Sequence, residues 1–338
     1  MAGHPADPAA RRRDRTLSEP VRAGVAVVLP VRGLDGLLRG CLMALGGQLR
    51  APEEVVIVDD SPDGSLDVAA VSATAPSLAV RVLRSGGVGP YAARNLGWQS
   101  TAAEILLFLD ARSRPRPAWV GALASAFDDP AVALTGSEVV VLGGPTLGER
   151  AAHRQQFFRL RNYLEAPDFR PYLPTCNLGI RRADLEAVGG FREIRSGGDA
   201  DVCWRVLGRP GRQLVPVTDV LMDWVPRDSA RDYLEQNYRY GRSSLALRRE
   251  WASAGAQIWP PLAAHVLGRR AAMLGVRFAV ASARRDSDAR VDLMSRAGQW
   301  ALDLGYLRAH HADGVAARGA DIRSTPTGHR SKVRVPQR

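Results

Sequence analysis

The stretch Glu104-Ile-Leu-Leu-Phe-Leu-Asp-Ala-Arg112 decides the fold. Its apolar run, unbroken by polar alternation, reads as a strand buried on both faces, the kind found in a parallel sheet covered by helices. The run ends in Asp110 at a loop, and ligands of open α/β sheets gather at the carboxyl ends of strands. Upstream, Val55-Val-Ile-Val58 ends the same way in Asp59-Asp60. Two strands with acidic tips point to a nucleotide site. Arg112 is the odd member, because a metal-chelating loop would place another oxygen ligand there.

Working outward, Ala26–Val31 reads as a first buried strand, Glu53–Asp60 as a second and Leu78–Arg84 as a third. Between the first two, Leu34, Leu37, Leu38, Cys41, Leu42 and Leu45 recur on one face of an amphipathic helix. Pro90–Ala102 and Pro117–Phe127 are expected as helices, each with proline in the first turn. Ala131–Val141 reads as a strand and Glu149–Glu165 as a polar helix. Asn177–Arg182 is a short strand, and Ala183–Val188 a helix stopped by Gly189-Gly190. Asp199–Leu207 is helical after Gly197-Gly198, Gln213–Val225 is extended, and the pattern turns helical after Pro226. Alternating strands and helices imply right-handed βαβ units and a mostly parallel, Rossmann-like α/β sheet.

The chain has 338 residues, 46% of them hydrophobic, enough for one large domain with an appendage. No apolar run reaches the roughly 20 residues needed to span a bilayer. Arg11-Arg12-Arg13 is not followed by an apolar segment, so residues 1–22 read as a disordered basic leader rather than a secretory signal. The three cysteines lack metal-ligand spacing and suit reduced thiols in the cytoplasm.

The net charge of +11 is uneven. Residues 23–226 carry 21 arginines against 22 carboxylates, so the basic excess lies in the tails and the C-terminal third. That region suits an anionic membrane surface. Its cations lack interleaved aromatics or a reading helix, so nucleic acid is not an expected partner. The expected division is a leader (1–22), an α/β domain (23–226), a helical region (227–315) and a basic, disordered tail (316–338).

Five segments then occur in a telling order: Val58-Asp-Asp-Ser-Pro-Asp-Gly-Ser65, Pro90-Tyr-Ala-Ala-Arg-Asn-Leu-Gly97, Leu107-Phe-Leu-Asp-Ala-Arg112, Gly189-Gly-Phe-Arg-Glu193 and Gly198-Asp-Ala-Asp-Val-Cys-Trp-Arg205. Together they resemble the family 2 glycosyltransferases of GT-A fold, over roughly residues 25–250. The resemblance implies inverting transfer of a sugar from a nucleotide-diphosphate donor to a hydroxyl acceptor, lipid-linked or part of a cell-envelope glycan. It assigns donor binding to Pro30, Val31, Arg32, Asp59, Asp60 and Arg94, with Asp110, Ala111 and Arg112 at the ribose and diphosphate. Against this, Asp60 and Ser61 also fit a turn with Pro62-Asp63-Gly64.

The resemblance makes Asp199 the general base. Its flanking glycines are expected to let the backbone approach the substrate, although Asp199 also suits a helix N-cap. Asp201 and Trp204 are expected at the acceptor. Gln236 and Arg239 join them from Gln236-Asn-Tyr-Arg-Tyr240, which resembles the Gln-x-x-Arg-Trp element of processive members.

The family's Asp-x-Asp loop binds Mg²⁺ or Mn²⁺, which leaves Asp110 as the metal ligand here. Its final Asp is replaced by Arg112, and a histidine ligand common in the family is missing from Val220–Val225, where Asp223 is the available oxygen donor. Three readings follow. A divalent ion still binds, or Arg112 with Arg114 or Arg116 supplies the charge without metal, or the chain is a non-catalytic scaffold of the same fold. A sugar-phosphate nucleotidyltransferase is disfavoured, since Val31-Arg-Gly-Leu-Asp-Gly36 lacks a glycine-rich phosphate loop.

In the helical region, His265, Arg269, Arg270, Arg277 and Arg284 share one sector, with Leu267, Met273, Leu274, Phe278 and Val280 largely on the rest. Such a helix suits a bilayer interface, or packing on the α/β core or on a partner subunit. Leu293, Ala297, Trp300, Leu304 and Leu307 form a following stripe.

Overall fold

The structure is a computed structural model describing residues 24–33, 35–165, 169–194 and 196–323, with side chains to residue 312. The expected leader, Leu34 and the tail beyond residue 323 lie outside the described residues.

The chain begins with β1 (Val25–Val31), α1 (Gly36–Gly46), β2 (Glu54–Asp59), α2 (Val68–Thr74), β3 (Val80–Arg84), α3 (Pro90–Gln99) and β4 (Ile105–Phe108). It continues through β5 (Ser113–Pro115), α4 (Trp119–Ala126), β6 (Val132–Thr135), β7 (Ser137–Val141), α5 (Leu147–Gln155) and α6 (Arg161–Leu164). Then follow β8 (Leu178–Arg181), α7 (Arg182–Ala187), α8 (Gly198–Leu207), β9 (Gln213–Leu214) and β10 (Val217–Trp224). Three long helices close it: α9 (Ala230–Glu250), α10 (Ala264–Ala283) and α11 (Ser287–Arg323).

A seven-stranded sheet runs β3-β2-β1-β4-β8-β6-β9, and a three-stranded sheet runs β5-β10-β7. The β1–β2, β1–β4 and β2–β3 pairs are parallel, whereas β8 is antiparallel to both β4 and β6. Val25–Leu29 and Val55–Val58 are fully buried, as continuous apolar strands covered on both faces must be. Helix α1 turns Leu38, Cys41, Leu42 and Leu45 into that core, and its Asp35 cap accepts a hydrogen bond from the Leu38 N–H at 2.9 Å. On the other face α3 lies so near the sheet that a Cβ on Gly97 would stand 2.5 Å from Val28 Cγ1. That close approach fixes Tyr91 and Arg94, about two turns and one turn earlier, over the carboxyl ends of β1 and β2.

Several expectations change. Ala131–Val141 is two strands in different sheets, split at Gly136, where a Cβ would meet the Asn177 carbonyl at 2.5 Å. The expected helix 149–165 is interrupted. Its first part, α5, starts at a Thr146–Glu149 capping box and stops at left-handed Gln156. The Gln156 amide clamps the Val141 N–H and C=O at 3.0 and 2.9 Å, a tertiary contact that outweighs helix propensity. The last helix continues to Arg323, past the Ala316 at which composition places a tail.

Helices α9 and α11 cross with backbones in contact. A Cβ on Gly241 would run into the Leu302 carbonyl, and one on Gly305 into that of Tyr238. This seam sets α11 beside the sheet, and α10 then packs on α11 through Trp300 Nε1 donating to the Leu267 carbonyl at 3.0 Å. Among the described residues no helix is long and apolar enough to cross a membrane.

Candidate active site

A cavity of about 1180 Å³ opens at the carboxyl ends of β1 and β4, with the first turn of α8 on one side and α9 and α11 above. Asp60, Asp110 and Asp199 all line it, although they come from residues up to 139 positions apart. Pro30, Val31, Arg32, Arg94, Ala111, Arg112, Trp204, Gln236 and Arg239 line it too, as expected from sequence.

At one end, the N–H of Asp60 donates to the Val31 carbonyl at 2.7 Å, which continues the β1–β2 ladder by one residue. Its carboxylate accepts from Arg32 Nη2 at 3.1 Å, Ser85 Oγ at 2.8 Å and the Gly89 N–H at 3.1 Å. Asp59 does not line the cavity, which corrects its expected donor role. Its fully buried carboxylate accepts from the N–H groups of Ser61 and Leu66 at 3.0 and 3.1 Å. Burial pushes its carboxyl up, but hydrogen bonds from Ser61 and from backbone N–H groups outweigh that and hold it below the usual carboxylate range. Asp59 therefore shapes the turn that carries Asp60.

At the β4 tip, Asp110 accepts from the Arg112 N–H at 2.8 Å and from Trp224 Nε1 at 3.3 Å. The Arg112 guanidinium donates from Nη1 to the carbonyls of Val225 (3.3 Å) and Pro226 (2.6 Å), and Val225 N–H returns a bond to the Arg112 carbonyl at 2.9 Å. Burial, then the charge of Arg227, lowers the Arg112 pKa. Arg227 lines the same cavity and was missed from sequence, because it sits in a loop with no motif. Neither Arg114 nor Arg116 reaches the cavity. Arg114 bonds the Ala111 and Ser113 carbonyls, and Arg116 pairs with Asp223 at 2.8 Å, so Asp223 is no substitute ligand.

The donor set at this tip does not suit a resident divalent cation. A hard ion wants several oxygens, and the loop offers one carboxylate whose two oxygens already accept hydrogen bonds, beside guanidinium groups. Among the described residues no three His, Cys, Asp or Glu side chains cluster as metal ligands.

At the other end stands Asp199, in the first turn of α8. It accepts from the Ala200 N–H at 3.0 Å and from Tyr91 Oη at 3.4 Å, a sparse set. Burial raises its pKa, and the Ala200 N–H and Arg94 only partly oppose the rise. Arg94 is 5% exposed, donates to the Pro90 carbonyl at 3.3 Å, and leaves Nε without a hydrogen-bond partner among the described residues. The glycines before Asp199 also answer to packing within the fold. Gly197, the cap, has φ +87°, and a Cβ on Gly198 would stand 2.9 Å from the Tyr91 ring. Gly198 thus leaves room for the Tyr91 ring beside the carboxylate, while Gly197 lines the cavity.

Asp201 corrects another expectation. It is fully buried away from the cavity, held by Arg205 at 2.8 Å, Arg192 at 3.3 Å and Trp251 Nε1 at 3.2 Å. Trp204 lines the cavity, yet it is 6% exposed, packs edge-on with Phe169 and Trp251, and donates to the Arg170 carbonyl at 2.8 Å. Above, Gln236 donates to Tyr240 Oη at 2.8 Å, and Arg239 lies over the Tyr240 ring at 5.7 Å. Tyr163 and Tyr172 complete this wall with rings crossed at 4.9 Å. In sequence Tyr163 falls within the expected polar helix 149–165 and Tyr172 between Pro171 and Pro174, with no motif to flag either.

Residues 26–189 match the family described as Glycosyl transferase family 2. The pre-mycofactocin glycosyltransferase of Mycobacterium tuberculosis, found in two strains, is 31% identical over 240 residues, 69% of this chain and 49% of that protein. The chain thus spans about half that relative's length. Glycosyltransferase AglE of Haloferax volcanii is 29% identical over 242 residues, covering 68% of this chain and 78% of its own. Among solved structures, the mannosyltransferase PcManGT from Pyrobaculum calidifontis, in complex with GDP-Man and Mn²⁺, aligns with a TM-score of 0.53. It is 20% identical, across 89% of this chain and 80% of that one, which makes the likeness one of fold.

Proposed function

We propose that the chain, whose residues 26–189 match the family described as Glycosyl transferase family 2, moves a sugar from a nucleoside diphosphate donor to a hydroxyl acceptor with inversion. The acceptor oxygen attacks the sugar's anomeric carbon as the bond from that carbon to the diphosphate breaks. The bonding pair leaves on the phosphate oxygen, and the hydroxyl proton passes to Asp199.

The observation that carries this reading is the contrast between the carboxylates sharing the cavity. Asp199 has its basicity raised by burial and few donors, which suits a group that must take a proton. Asp60, held by three donors, suits recognition of base or ribose N–H and O–H groups beside Pro30, Val31 and Arg32. Ala111 and Asp110 edge the ribose side of the same cavity. Trp204, Gln236 and Arg239 form the acceptor side. A scaffold stripped of chemistry would have no use for a half-buried carboxylate with raised basicity at the cavity wall.

The surface of α10 supports work at the inner face of a cell membrane. Leu267 and Ala281 face α11, while Met273, Val276 and Val280 are 59%, 66% and 45% exposed beside the exposed Arg269, Arg277 and Arg284. Met273 and Val280 therefore lie among the cations rather than on the rest of the helix, where the sequence reading largely put them. No acidic residue falls between Trp251 and Arg285. An apolar, basic outer face of this kind matches an anionic lipid surface, and would bring a lipid-linked or envelope-glycan acceptor within reach. Co-sedimentation with anionic but not zwitterionic vesicles, lost in Val276→Asp, is the expected result.

The enzymatic reading is tested by incubating the protein with a panel of nucleotide sugars and following donor hydrolysis. Release of one nucleoside diphosphate above the protein-free control is expected. No release from any donor, with no nucleotide bound, would leave the scaffold reading standing.

A further inference from the structure

We propose that Arg112 and Arg227 together form an anion clamp that holds the donor's diphosphate where a divalent cation would otherwise sit. This rests on the donor-binding reading above and adds the group that neutralises the leaving charge. Arg227, which no sequence motif marks, becomes a substrate-contacting residue.

The clamp is assembled by the backbone. Three hydrogen bonds zip the Asp110–Arg112 loop to the segment after β10: Val225 N–H to the Arg112 carbonyl, and Arg112 Nη1 to the Val225 and Pro226 carbonyls. Arg227 is the next residue along. The zipper therefore delivers two neighbouring arginines to the cavity that Asp60 and Asp199 also line. Arg112 uses only Nη1 for this fastening, so Nε and Nη2 remain available to phosphate oxygens. Arg227 forms no ion pair with any described residue.

The charges facing the pair come from several elements. Asp110 lies beside Arg112, its oxygens committed to the Arg112 N–H and Trp224. Asp35 caps α1 through its carboxylate, and Asp228 is exposed. Among the described residues no carboxylate is hydrogen-bonded to either guanidinium. Two like charges packed at a cavity wall without such a partner are costly unless an anion joins them.

A diphosphate is that anion. Guanidinium forks match phosphate oxygens in pairs, a geometry that ammonium groups do not provide. As the anomeric bond breaks, the electron pair settles on the β-phosphate oxygen. A fixed pair of cations there stabilises that charge without coordinating it. The outer phosphate takes up the leaving charge, so the clamp is assigned mainly to that phosphate.

The test is calorimetric titration of the full chain with UDP, GDP, ADP, CDP and dTDP, first in EDTA and then with Mn²⁺. One diphosphate is expected to bind in EDTA, with its affinity changed less than about threefold by Mn²⁺. Arg227→Ala should weaken that diphosphate roughly tenfold or more, the loss of a charge-assisted hydrogen bond, while the matching monophosphate binds as before. Arg227→Lys should recover only part of the loss. Because Arg112 also fastens the backbone, Arg112→Ala is interpreted only if its thermal midpoint is unchanged; Arg227→Ala carries the test in either case. Binding that requires Mn²⁺, or diphosphate binding unaltered in Arg227→Ala, overturns the clamp and leaves the donor reading intact. Binding of no nucleotide under either condition overturns both.

Discussion

The end of β2 and the start of α8 each present two aspartates, and in each one carboxylate faces the cavity while the other is buried in scaffold. Asp59 and Asp201 are the scaffold members, saturated by backbone N–H groups in the first case and by arginines in the second. Asp60 and Asp199 face the cavity, but their surroundings differ. Asp60 is held by Arg32, Ser85 and Gly89, whereas Asp199 has the Ala200 N–H and a long contact from Tyr91. The same side chain is thus made a fixed recognition group at one end and a proton acceptor at the other. Donor count and burial decide which.

The comparison breaks most visibly at Asp201. Asp201→Asn leaves Arg205 without its buried partner and should lower unfolding free energy by about 3–5 kcal/mol. Denaturant titration measures it; a loss below about 1 kcal/mol would place Asp201 outside the scaffold class. Asp59→Asn comes next, at about 1–2 kcal/mol, since one of the two N–H donors then faces an amide nitrogen that cannot accept. Asp59 has a depressed pKa in the folded state, so its contribution is present above its unfolded pKa and is lost as pH falls through the folded value. The gap between wild type and Asp59→Asn should accordingly close in acid.

Asp199 gives the smallest stability effect, with opposite sign. Its folded pKa is raised, so ionising it costs stability as pH rises through the ordinary carboxylate range. Asp199→Asn should be at least as stable as wild type at neutral pH, and the two should converge at low pH. Thermal midpoints across pH sharpen the contrast with Asp201; a drop at neutral pH would assign Asp199 to the scaffold.

Much of this was legible in the sequence, for a physical reason. Strands β1, β2 and β4 are covered on both faces and so carry unbroken apolar runs, and their acidic tips mark where the cavity opens. What the sequence hid depends on tertiary contact. Gly136 splits a strand because the Asn177 carbonyl needs the space, and Gln156 ends a helix by clamping Val141. Asp201 was misassigned because residues two apart on a helix point to different sides. Arg227, Tyr163 and Tyr172 reach the cavity from segments that carry no site motif, so only the fold brings them in. Gly198 was visible as a glycine, but its reason, the Tyr91 ring, comes from α3.

The most direct measurement compares turnover and nucleotide affinity of wild type and Asp199→Asn with the donor identified in the panel. The account predicts that kcat falls by roughly 10²–10⁴-fold while nucleoside diphosphate binding stays within a few-fold. Turnover retained in Asp199→Asn would contradict it, because the cavity would then have another base.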